Sequence, residues 1–145
     1  MSFSFITAAA KHLSLVEISS WNSNQHEFNG VAPLKRMFGL GKQEYDATYV
    51  YFDNTGSCIQ DSGSVTWYDA RENHPSRSEY RLYYSENSVV RRAAENDLLV
   101  VGKKEDGSIV IIVAENGSSY YNLCMTLFGL QSHTANYVLS NNIAI

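Results

Sequence analysis

Arg71, Glu79 and Arg81 are the residues whose types and spacing best fit a chemistry, and that chemistry is recognition rather than bond-breaking. They stand in two strings, Trp67-Tyr68-Asp69-Ala70-Arg71 and Ser78-Glu79-Tyr80-Arg81-Leu82, joined by a polar turn that carries Pro75. Alternate side chains of a strand share a face, so Glu79 and Arg81 point the same way with Tyr83 next in line, and Tyr80 and Leu82 point to the other side. A guanidinium gives two donors to O6 and N7 of guanine, and a carboxylate accepts from N4 of cytosine. Side by side, with Arg71, they suit G·C pairs read from a major groove. The window 71–92 holds five arginines against three glutamates, a net +2 within a chain of net charge −4. The polar run Asn22-Ser23-Asn24-Gln25-His26-Glu27-Phe28-Asn29 offers a second reading arm, since Asn and Gln match adenine and His26 can donate to a base or a phosphate. Lys35, Arg36 and Arg77 are phosphate candidates by charge and expected position. The same Arg–Glu pair also fits a solvated strand face whose opposite charges neutralise each other, and the polar run also fits a plain loop.

Other chemistries lack their residues. No Asp or Glu has Lys two places on, so the acidic-x-Lys arrangement of common metal-dependent nucleases is missing. Gly39-Leu40-Gly41-Lys42 resembles a phosphate loop only at its end, because Arg36 stands where the first Gly belongs and Gln43 where the hydroxyl belongs. There is no Gly-x-Ser-x-Gly elbow. His12, His26, His74 and His133 have no cysteine at a metal-binding spacing, and Cys58 and Cys124 are too few for a disulfide scaffold. Asn116-Gly117-Ser118 fits a turn before a helix better than a glycan site. The expectation is a domain with no cofactor, no metal and no catalytic residue, and no membrane partner. No signal peptide is legible, which points to a cytoplasmic protein.

These residues need a scaffold. A chain of 145 residues is one domain's worth, and 44% apolar with 18% charged residues fits a folded domain. Ten tyrosines and short runs rich in Val, Ile and Thr favour strands. Ser4–Leu13 reads as a short helix capped by Ser4 and favoured by Ala8, Ala9 and Ala10, and Leu13–Ile18 as a first strand. Ser19–Gly30 reads as a long polar loop, and Pro33–Phe38 as a helical turn ended by Gly39. Strands are expected at Ala47–Phe52, Val65–Ala70 and Tyr80–Tyr84, with a turn at 53–56 and an irregular stretch over Ser85–Asn96. The clearest hairpin joins Leu98–Lys103 to Ser108–Ala114 through Asp106-Gly107. A helix capped at Ser118-Ser119 runs to Phe128 and stops at Gly129, and Tyr137–Leu139 is a last strand. The sum is a β-rich barrel or sandwich with two or three flanking helices.

The order of these elements resembles the N-terminal effector-binding domain of EcoRII-type restriction endonucleases over nearly the whole chain. The resemblance is carried by Trp67-Tyr68-Asp69-Ala70-Arg71, by Ser78-Glu79-Tyr80-Arg81, and by Glu95-Asn96 fourteen places past Arg81. It continues through the hairpin Leu98–Ala114, the helix near Ser119 and the string Asn136-Tyr137-Val138-Leu139. It implies a mainly β (α+β) fold, the DNA-binding pseudobarrel, a distorted Greek-key barrel with two arms that grip the major groove. It implies a single domain over 1–145 that binds duplex DNA at a CC(A/T)GG-type site and cuts nothing, the nuclease lying in a linked C-terminal domain beyond Asn141–Ile145. The first arm would be Ser20–Val31, keeping Asn22 and His26, and the second would carry Arg71, Glu79 and Arg81. Tyr80, a further DNA-contact candidate, stands where the family string has Lys, and Tyr84 and Asn87 stand where it has further arginines.

Two other classes fit the residues. A sugar-binding β module could use the tyrosines with Trp21 and Trp67 as stacking platforms, although most of these aromatics fall inside expected strands. A protein-interaction domain could present an apolar patch around Trp21 and Phe28.

Overall fold

The computed structural model describes residues 2–19, 26–29, 32–131 and 136–145, of which 44% lie in strands and 20% in helices, so the chain is mainly β. In chain order the elements are β1 (Ser4–His12), α1 (Leu15–Ile18), β2 (Glu27–Asn29), α2 (Ala32–Phe38), β3 (Gln43–Phe52), β4 (Cys58–Asp69), β5 (Tyr80–Tyr84), α3 (Ser88–Arg92), β6 (Leu98–Lys103), β7 (Ile109–Ala114), α4 (Ser119–Phe128) and β8 (Val138–Ala144). The strands form one mixed sheet in the order β2-β5-β4-β3-β7-β6-β1-β8, with β3 and β7 parallel and the other neighbours antiparallel. The sheet curls into a half-barrel. Among the described residues no helix is long and apolar enough to cross a membrane.

The apolar runs of β6 and β7 are continuous rather than alternating because both faces are covered. On the concave face Leu99, Val101, Ile111 and Val113 join Tyr49, Tyr51, Trp67, Leu82 and Phe28, and α2 and α3 add Leu34, Met37, Phe38, Val89 and Val90. On the convex face Leu98, Val100, Val110 and Ile112 meet Phe5, Val50, and Cys124 and Phe128 of α4. The cover stops at β3. Beyond it, the outward residues of β4 and β5, such as Thr66, Tyr68 and Tyr83, are part-buried or exposed.

Several expectations need correction. Ser4–Leu13 is strand, not helix: β1 lies between β6 and β8, and Ala8, Ala9 and Ala10 are fully buried there. Small residues suit that place, because Phe5 packs over Gly102, where an added Cβ would lie 2.5 Å from its ring. Leu13–Ile18 is not a strand. The Glu17 carboxylate accepts from the Ser14 backbone N–H (3.0 Å) and hydroxyl (2.8 Å), and this capping arrangement starts α1. Its other oxygen takes the Lys11 ammonium at 2.6 Å in a buried pair. The polar stretch Ser19–Gly30 contains β2, whose Phe28 is buried against Tyr84. The irregular stretch Ser85–Asn96 contains α3, capped by the Asn87 side chain accepting from the Val90 N–H at 2.8 Å. The other elements fall where expected, with β3, β4 and β8 extending further along their polar ends.

Candidate nucleic-acid interface

The site forms where β4 turns into β5. Tyr68 faces Arg81 across this pair, and the Ala70 N–H donates to the Glu79 carbonyl at 2.7 Å, extending the ladder. The Asp69 carboxylate fastens the neck of the arm between them. One oxygen accepts from the backbone N–H of Arg71 (2.9 Å) and of Glu79 (2.8 Å). These bonds, first from Glu79 and then from Arg71, hold the Asp69 carboxyl below its ordinary pKa. At the arm's tip the His74 Nδ1 accepts from the N–H groups of Ser76 (3.2 Å) and Arg77 (3.1 Å). The second arm is therefore a built turn.

On the outward face the predicted triad comes together in line. Arg71 Nε donates to one oxygen of Glu79 at 3.2 Å, and Arg81 Nη2 donates to the other at 3.2 Å. Arg81 Nη1 donates to Glu27 Oε1 at 2.9 Å, and the Tyr68 hydroxyl donates to Glu27 Oε2. The line is neutral, two guanidiniums against two carboxylates. Its members differ in exposure: the Arg71, Glu79 and Arg81 side chains are 47%, 43% and 22% exposed, and Glu27 is 5% exposed. An exposed pair such as Arg71–Glu79 is screened and contributes little, so a ligand can exchange it. Removing one partner of a pair with a buried carboxylate leaves an uncompensated charge, so Arg81–Glu27 persists. The Arg81 and Arg71 donors hold the Glu79 carboxyl below its ordinary value, and the Glu27 bond raises Arg81 further. Glu79 and Arg81 are both charged at neutral pH.

The remaining candidates separate. Tyr80 points to the concave side, stacks on Trp67 at 5.1 Å and donates its hydroxyl to the Leu40 carbonyl at 3.0 Å, so it is a core residue that holds the 39–42 loop rather than part of the outer line. Trp67 fixes the same loop through Nε1–H to the Gly39 carbonyl at 2.9 Å. Gly39 itself needs its left-handed φ of +80° to end α2. Lys35 sits over the Tyr80 ring at 4.9 Å and near Asp69, whose carboxyl it helps to keep ionised. Arg36 is exposed on α2 and Arg77 on the arm. His26 stacks on Tyr84 at 5.3 Å, on the ring that also carries Phe28, and on Tyr83 at 6.4 Å. Asn22, Ser23, Asn24 and Gln25, with Trp21, lie outside the described residues.

Three contributors escaped the sequence reading. Glu27 and Tyr68 complete the line, and the signal was there: Phe28 between Glu27 and Asn29 is a short period-two pattern, and Tyr68 is the β4 residue directly opposite Arg81. Lys42 is the other addition. With Tyr68, Asp69, Arg71, Glu72 and His74 it lines an open groove of about 540 Å³. The aromatic platforms that a sugar binder would use are mostly in the core, Trp67 fully buried and Tyr49, Tyr51, Tyr80 and Tyr84 nearly so, and Phe28 is buried rather than part of a surface patch. Among the described residues no three His, Cys, Asp or Glu side chains gather as a metal site.

No family model and no curated protein matches this chain. Fold and site together define a mainly β protein whose half-barrel carries a guanidinium–carboxylate line on its uncovered rim.

Proposed function

We propose that this chain binds double-stranded DNA sequence-specifically, the rim formed by β5 and the arm 70–79 entering the major groove. The observation that carries the proposal is the alignment of Arg71, Glu79 and Arg81 in steps of 3.2 Å on one outward edge, on an arm fastened by Asp69. Exchange of the Arg71–Glu79 contact presents a guanidinium to guanine and a carboxylate to cytosine at neighbouring positions. Lys42 lines the groove beside the arm, Arg77 is exposed on the arm and Arg36 is exposed on α2, with charges suited to phosphates. The resemblance to EcoRII-type effector domains gives the proposal its finer form: a DNA-binding pseudobarrel reading a CC(A/T)GG-type site and regulating a linked nuclease domain, with no cleavage by this chain itself. Selection from random duplexes at physiological salt tests it. The expected return is a short G·C-bounded site, and a pool that shows no enrichment after repeated rounds refutes sequence-specific binding.

A further inference from the structure

We infer that Glu27 is the specificity-determining positioning residue of this rim, an inference that rests on the duplex binding proposed above. The two carboxylates that hold Arg81 are not equivalent. Glu79 is exposed and also serves Arg71, whereas Glu27 is buried and both its oxygens are engaged, one by Arg81 Nη1 and one by the Tyr68 hydroxyl. Glu27 reaches these partners from the edge strand β2, diagonally to Arg81 on β5 and across it to Tyr68 on β4, so one carboxylate ties three strands at the point of recognition. Anchors on two different terminal nitrogens fix the guanidinium in position and in plane.

When a G·C pair enters, Glu79 turns to cytosine N4 and loosens its hold. Glu27 keeps Arg81 in place, so the donors meet guanine O6 and N7 without the side chain first being ordered. A guanidinium without Glu27 still attracts phosphate and any acceptor-rich base edge. The role of Glu27 is therefore in discrimination rather than in affinity, and its negative charge works against indiscriminate binding.

Glu27→Gln keeps the shape and removes the charge. Binding of wild type and variant is measured by mobility shift on a short duplex containing CCTGG and on its single-base-pair variants. The expected result is that the ratio of affinities between the two kinds of duplex falls at least about tenfold, while binding to the substituted duplexes holds or strengthens. A merely structural role lowers both affinities together and leaves the ratio unchanged, and that outcome overturns the inference. Tyr68→Phe, which removes only the hydroxyl on Glu27 Oε2, moves the ratio in the same direction by less. It decides the matter should Glu27→Gln fail to fold, and an unchanged ratio in Tyr68→Phe then overturns the inference. Wild-type protein that shows no preference among the duplexes refutes the binding proposal itself, which separates that failure from one confined to Glu27.

Discussion

Arg81 is the residue on which burial, charge and geometry converge. Its guanidinium is held by the buried Glu27 and by the exposed Glu79. Replacing it does two separable things. It removes the proposed base-reading fork, and it leaves the buried Glu27 carboxylate uncompensated. Arg81→Ala is expected to cost about 1–3 kcal/mol on the preferred duplex and to relax choice at one base pair. Arg81→Lys keeps a charge for Glu27 but loses the planar fork, so it is expected to retain the fold while relaxing the same position. Arg77→Ala, on the exposed part of the arm, weakens all duplexes about equally because a phosphate contact carries no sequence information. Mobility shifts on matched and substituted duplexes separate these patterns, and equal binding of wild type and Arg81→Ala to a CCTGG duplex refutes the assignment.

Among the elements, the arm 70–79 depends on one side chain of β4. Asp69 bridges its two ends through the Arg71 and Glu79 amides, whose bonds to its one oxygen are strongest when the carboxylate is ionised. Its folded pKa is depressed, so its stabilisation is present above the ordinary carboxyl value of 3.8 and is lost as pH falls through the lower folded value. Asp69→Asn is therefore expected to lower the urea midpoint at neutral pH, with the gap to wild type closing as the pH drops below that range. A gap that stays constant on acidification contradicts the role. Local signals made parts of this architecture legible in the sequence. The Asp106-Gly107 turn marked the β6–β7 hairpin, Ser118 and Gly129 bounded α4, and the alternation at 79–83 gave β5 and its outward Glu79 and Arg81. Elements set by tertiary context were not legible. Three alanines read as helix became the centre of a strand because β1 is hydrogen-bonded between β6 and β8 and buried on both faces there. β2 has three residues and exists through its pairing with β5, so its Glu27 stayed hidden in a polar run.

At the scale of the molecule, the sheet keeps one function apart from the other. The β1–β6–β7 side is covered on both faces and supplies the stable core, while the β4–β5–β2 side is covered on its concave face and leaves its convex face for contact. Charge follows the same division. The chain as a whole is acidic at −4, which opposes random association with a polyanion, and the line proposed to read bases is itself neutral. In the proposed complex, attraction to phosphates must then come from a few cations outside that line, Lys35, Arg36, Lys42 and Arg77. If all four meet phosphates, counterion release gives a slope of log Kobs against log salt of roughly −4, and fewer contacts make it shallower. A filter-binding titration of the preferred duplex over a range of sodium chloride concentrations measures that slope, and Lys42→Ala is expected to reduce it by about one. A much steeper wild-type slope, or one that Lys42→Ala leaves untouched, places the duplex on a different face of the protein. A shallow slope with strong sequence preference is what a neutral reading edge on an acidic body requires, because the free energy of binding then comes from the bases that fit and not from the backbone every duplex shares.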